Sequence, residues 1–198
     1  MSTHIFALCQ AADLRTLEAL FREKFFAVLR SETVEYIPGG PYDDEFFRVL
    51  TNRLIVLLNG STDQDSATRF DSIMSDLSST LIALLDNHPN SAEVSLKAVN
   101  QWHKSLAKHA RAVFLETRES YVSHPNSAAK LLGRTGALYT YVREELGVKI
   151  HWGDSTKDTT AIGTEIGKIF HAWKSPRMTE LLVNILEGPK GVNGVNHV

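Results

Sequence analysis

Apolar positions in this chain recur at spacings of three and four and almost never in strict alternation, so the sequence predicts an all-α fold. The opening turns are unusual. From Ile5 to Ala12 every position but Gln10 is apolar, and a helix apolar on all sides demands burial on all sides. From Leu17 onward the pattern becomes amphipathic, with Leu17, Leu20, Phe21, Phe25 and Val28 on one face. Together these predict a first helix of about thirty residues. Ser2 or Thr3 is placed to cap it, although neither has Glu or Gln three residues later to complete a capping box.

Turn chemistry divides the rest. Pro38-Gly39-Gly40-Pro41 breaks the chain, and Asp43 or Asp44 caps a second helix running to Asn59. After the Gly60–Asp63 turn, Asp65 caps a helix whose stripe is Phe70, Ile73, Leu77, Leu81, Leu84 and Leu85. His88-Pro89-Asn90 ends it, because the residue before proline is pushed out of helical geometry. Ser91 is expected to cap a long helix to about Tyr121, with Val99, Trp102, Leu106, Ala110 and Val113 inward, before the break at His124-Pro125. Thr135 to Leu146 predicts a shorter helix, closed by Gly147 in the left-handed conformation. Val148 to Trp152 reads as extended. Two more stripes follow, Ile162, Ile166, Ile169, Phe170 and Trp173, then Met178, Leu181, Leu182, Ile185 and Leu186, separated by Ser175-Pro176. The glycine-rich residues 188–198 read as a disordered tail.

Composition narrows the function classes. A chain of 198 residues is long enough for a sizeable core. Its net charge of −2 gives no electrostatic footprint for nucleic acid or an anionic membrane. The longest apolar run, Leu54 to Leu58, is far short of a membrane span, and no basic region precedes the first apolar stretch as a leader would require. A cytoplasmic protein is expected. The lone cysteine, Cys9, sits among apolar neighbours and reads as a buried structural thiol.

Candidate chemistry is sparse. His103 and His109 are six apart, on different sides of a helix, and no His-Glu-x-x-His or Cys/His cluster exists, so no metal is expected. Asp43-Asp44-Glu45 and Glu144-Glu145 are acidic neighbours. Adjacent helical residues point about 100° apart, so helix-start charge and a solvated face explain them better than a catalytic dyad. Gly136, Gly147, Gly153, Gly163 and Gly167 are too loosely spaced for a phosphate cradle. Trp102, Trp152, Trp173, Tyr139 and Tyr141 fit core positions better than an aromatic pocket.

Three stretches carry a resemblance. They are Leu8-Cys9-Gln10-Ala11-Ala12-Asp13-Leu14-Arg15, the run Leu138-Tyr139-Thr140-Tyr141-Val142-Arg143-Glu144-Glu145-Leu146-Gly147 with Gly153-Asp154, and Ile162-Gly163-Thr164-Glu165-Ile166-Gly167-Lys168-Ile169-Phe170. Asp65-Ser66-Ala67-Thr68-Arg69-Phe70 adds a weaker match. In this order they resemble the carboxyl-terminal part of the eukaryotic-type phenylalanine (or phenylalanine/tyrosine) ammonia-lyases, up to about Leu186. The resemblance implies a helical bundle segment carrying an inserted helical shielding domain. Residues 1–33 would be the end of a core bundle helix, 34–134 the insert, 135–187 the helices returning to the bundle, and 188–198 the tail.

In that family the reaction is non-oxidative deamination of L-phenylalanine to trans-cinnamate and ammonia. The resemblance implies an electrophile, a methylidene-imidazolone cyclised from an internal Ala-Ser-Gly. This sequence contains no Ala-Ser-Gly. The family's catalytic tyrosine, arginine, asparagine and glutamine positions have no counterpart here, so no catalytic, cofactor-binding or metal residue is assigned, and the chain alone is expected to be inactive. Arg143 is expected to form an ion pair within the fold. The expected partners are other lyase subunits, as in the family's homotetramers, or the missing amino-terminal part of such a chain. A truncated reading frame is the expected origin. The alternatives are a regulatory or structural subunit that docks on full-length lyase subunits, and an unrelated helical adaptor. An unshared apolar face around Ile5, Leu8 and Cys9 is expected in the isolated chain.

Overall fold

The computed structural model describes residues 1–62, 64–87, 94–123, 128–152 and 161–187, and among them every regular element is helical. The predicted breaks at His88-Pro89-Asn90 and His124-Pro125, the Gly153-Asp154 turn and the 188–198 tail lie outside the described residues. The order is α1 (Ser2–Tyr36), α2 (Asp44–Asn59), α3 (Ser66–Asp86), α4 (Leu96–Ser123), short 3₁₀ turns at Ala129–Leu131 and Gly133–Thr135, α5 (Gly136–Thr140), a π turn at Tyr141–Glu145, α6 (Ile162–Ala172) and α7 (Pro176–Glu187).

The chain forms two compact units, one of residues 19–120 and one assembled from residues 1–18 and 121–198. These units describe compactness. The spans inferred from the family resemblance describe descent, and the two divisions need not coincide.

In the 19–120 unit, α1 contributes Phe21, Phe25 and Leu29, α2 contributes Leu50, Leu54 and Leu58, and α3 contributes Ile73, Met74, Leu77 and Leu81. Trp102, Leu106 and Ala110 of α4 complete this core. Each large side chain fully buried this way is worth about 1.5–3 kcal/mol. Asp43 caps α2 as expected, its carboxylate accepting the Phe46 N–H at 2.7 Å. The start of α4 differs from expectation. Ser91 lies outside the described residues, but Val94 and Ser95 are non-helical, and Ser95 Oγ accepts the Ala98 N–H at 3.2 Å. Serine four residues later therefore does the capping.

The other unit has its own core of Ile5, Phe6, Cys9, Tyr139, Val142, Ile169, Met178 and Leu181, among others. Here the stripe predictions need correction. Phe170 is 63% exposed, Ile162 43% and Leu186 83%, while Glu165 and Ala172 are buried on α6. The face of α6 is rotated because Glu165 is needed inside. Nor is the start of α1 buried all round. Ile5, Phe6 and Cys9 are covered by this chain itself, whereas Ala7, Leu8 and Ala11 are exposed. The unshared face is thus narrower than expected, and Ile5 and Cys9 are not on it.

Candidate functional site

The three main family-like stretches meet in the unit built from the chain's two ends, around an irregular segment, residues 147–152. This segment lies outside any sheet, and its backbone polar groups must still be satisfied. Side chains from all three stretches supply the partners. Gln10 of α1 bonds both ways to His151: its Nε2 donates to the carbonyl at 2.5 Å and its Oε1 accepts the N–H at 3.0 Å. Arg143 Nη1 donates to the carbonyls of Val148 and Lys149, each at 3.0 Å. From α6, Glu165 accepts the Lys149 N–H at 2.7 Å, and Lys168 Nζ donates to the Gly147 carbonyl at 2.8 Å.

Beneath this segment lies a buried polar knot. Asp13 is fully buried on α1, and its carboxylate accepts from three donors. Arg143 Nη2 reaches Oδ2 at 2.5 Å, Tyr121 donates to Oδ1 at 2.9 Å, and Tyr139 donates to the same oxygen. The side chains of the ion pair are 2% and 0% exposed. A pair held in low dielectric is stable only when its remaining hydrogen-bonding capacity is met. Two phenols and two carbonyls do most of that. Arg143 Nε has no partner among the described residues.

Local geometry aims Arg143 at both targets. After Thr140 the helix widens into a π turn, in which the Leu146 N–H bonds to the Tyr141 carbonyl at 2.9 Å. Such widened turns re-aim side chains relative to an α-helix. The chain then reverses at Gly147, whose φ of 60° is the left-handed value its position predicted. The expected Thr135–Leu146 helix is therefore a 3₁₀ turn, five α residues and a π turn in succession. Gly136 permits this junction, since a Cβ there would stand 2.5 Å from the Ala129 carbonyl oxygen.

Burial sets the electrostatics. The Tyr121 phenol is pushed up to about 12, chiefly by desolvation, with the Asp13 charge adding to it. Tyr139 is raised further, again first by burial and then by its hydrogen bond to Asp13. Cys9 is raised to about 11 by burial, so it is a packed thiol and not a nucleophile, as its apolar setting predicted. A carboxylate that is fully buried and already held by three donors is out of reach of a substrate proton. This arrangement orients and holds chain.

The other candidates fall into place separately. Arg143 makes the intrachain ion pair expected of it, while Glu144 and Glu145 are solvated, Glu145 standing 3.7 Å from Arg177. Asp44 is fully exposed and Glu45 pairs with Arg48 at 2.6 Å. His103 faces Asp71 at 3.3 Å and His109 faces Glu32 at 2.7 Å, and among the described residues no His, Cys, Asp and Glu cluster suits a metal. Trp102, Tyr139 and Tyr141 are core, with Trp152 and Trp173 half-buried. Gln10, Asp13, Tyr121 and Glu165 were not singled out from sequence. A signal existed for Asp13: it sits four residues from both Cys9 and Leu17, a lone carboxylate on a buried stripe.

No protein-family model matches the chain. It is similar to the phenylalanine/tyrosine ammonia-lyase of Rhodotorula toruloides, at 30% identity over 94% of this chain and 27% of that protein. Similarity to the phenylalanine ammonia-lyase of Rhodotorula mucilaginosa is 29%, over 94% of this chain and 26% of the relative. A crystal structure of phenylalanine ammonia lyase from Rhodosporidium toruloides superposes with a TM-score of 0.82 and 30% identity, covering 93% of this chain and 29% of that one. The chain thus spans about 27% of the length of the relative first named.

Proposed function

Because the homologues of this chain are phenylalanine ammonia-lyases, matched along one segment of their length, we propose that its 198 residues form the carboxyl-terminal, non-catalytic part of a lyase of that kind. The parent reaction would be deamination of L-phenylalanine to trans-cinnamate. In this reading residues 34–134 shield the reaction from water and restrain mobile loops, and residues 135–187 pack against the catalytic bundle. The partners would be lyase subunits or an amino-terminal lyase segment, in a cytoplasmic assembly. No described helix is long and apolar enough to cross a membrane, which is compatible with that setting.

One observation carries the reading: five polar residues of the three family-like stretches are engaged within the chain. Gln10, Asp13, Arg143, Glu165 and Lys168 satisfy backbone or one another. The methylidene-imidazolone does not fit these residues, since no Ala-Ser-Gly occurs in the sequence and no step is assigned through such a group. The purified chain is expected to form no cinnamate from phenylalanine. Cinnamate absorbance, followed beside a complete lyase, tests this; turnover near the control rate refutes it.

A regulatory subunit is the second reading, supported by Leu8 and Leu14, which are 70% and 49% exposed on α1. Copurification with a complete lyase would favour it. Recovery of the chain alone from cells containing that lyase would favour the first.

A further inference from the structure

Between α3 and α4 runs an open groove of about 450 Å³ whose apolar lining is Phe70, Ala107, Ala112 and Leu115. Lys104, Lys108 and Arg111 line it as well. All three are exposed, and none has a hydrogen-bond or ion-pair partner among the described residues. Their spacing of four and then three places them on one face of α4, spanning roughly 10 Å. The acidic group in the groove, Asp71, faces His103 at 3.3 Å. A small monoanion would engage only one or two of the cations and stay half in water. The row fits a rod that presents carboxylates at matching intervals around an apolar strip.

The chain itself carries such a rod. On α7, Glu180 and Glu187 are seven residues apart, the same interval as Lys104 to Arg111. Val183 and Leu186 lie between them, 40% and 83% exposed. Asn184 would meet Lys108 if the two helices run parallel, and Val183 would meet it if they run antiparallel. Glu180 is held only by an exposed contact with Arg177 at 3.2 Å, which a new partner displaces at little cost.

We propose that α7 of one copy of this chain docks in the α3–α4 groove of a second copy. Donor and acceptor surfaces differ, so the contact is head-to-tail and propagates unless the rotation closes a ring. The contact is one between copies whose α7 is not engaged by a catalytic bundle, so its failure leaves the lyase reading untouched.

Sedimentation velocity on the full 198-residue chain tests it. The average mass should rise with concentration and fall towards the monomer in high salt. Two charge-reversed proteins are then compared: Lys104→Glu/Lys108→Glu/Arg111→Glu, and Glu180→Lys/Glu187→Lys. Every substituted residue is exposed, and circular dichroism checks that the helices persist. Each protein alone should associate at least about tenfold more weakly. An equimolar mixture should recover association, because each reversed groove then meets a reversed α7. A wild-type chain that stays monomeric overturns the proposal. So does association that survives both reversals, as contact through the exposed side of α1 would, or a mixture that fails to recover.

Discussion

At the residue scale, the Asp13 carboxylate ties one guanidinium and two phenols together. Removing it leaves the Arg143 guanidinium buried beside two orphaned phenols, so Asp13→Ala should cost about 3–5 kcal/mol in urea unfolding. Asp13→Leu/Arg143→Met should cost less than the sum of the single changes, because it removes both charges together. A double-mutant cycle measures the difference. The same knot predicts a pH dependence. Tyr121 is pushed up to about 12 in the folded chain against about 10 unfolded. Below about pH 10 both states keep the proton and the contribution is complete. Above that the unfolded chain loses it first, so stability should fall as pH rises from about 10 to 12. Denaturation midpoints across that range check this, and Tyr121→Phe should make the descent shallower. In the other unit the Trp102 indole donates to Thr33 Oγ1 at 3.1 Å, both groups being fully buried. Thr33→Val keeps the shape but strands that donor, and about 1–3 kcal/mol of stability should be lost.

Among the elements, the passage from α5 through the π turn to Gly147 places a guanidinium between a helix and an irregular segment. Gly136→Ala should destabilise by about 1–3 kcal/mol in thermal unfolding, because the added carbon meets a carbonyl oxygen and not a yielding side chain. The helices α1 to α4 were legible in sequence, since they carry long stripes of period 3.6 bounded by proline, glycine or a capping residue. The orientation of α6 was not. Its stripe predicted Phe170 inward, yet Glu165 is 3% exposed because a distant backbone N–H, that of Lys149, requires its carboxylate. Hydrophobic periodicity does not register a demand of that kind. The π turn was hidden for a related reason: its cause is the long-range target of Arg143, which no local preference encodes.

For the molecule as a whole, the unit that joins the two ends depends on contacts made far along the chain. Asp13 and Arg143 are 130 residues apart, and Gln10 and His151 are 141 apart. The 19–120 unit closes over shorter separations, such as the 69 between Thr33 and Trp102. Closing longer loops delays folding, so pulsed hydrogen exchange should protect the amides of α2 and α3 before those of Val148 and His151. The family-like stretches were readable as motifs, and their mutual attachment was not, because no spacing rule connects positions so remote. The single cysteine offers one practical consequence. Cys9 is 5% exposed and its thiol is raised to about 11, so at neutral pH an alkylating reagent modifies it only when α1 lifts away. Nature has therefore installed a chemical clock in this half of the protein: labelling rates against time report how often the end-to-end knot opens, with no probe introduced.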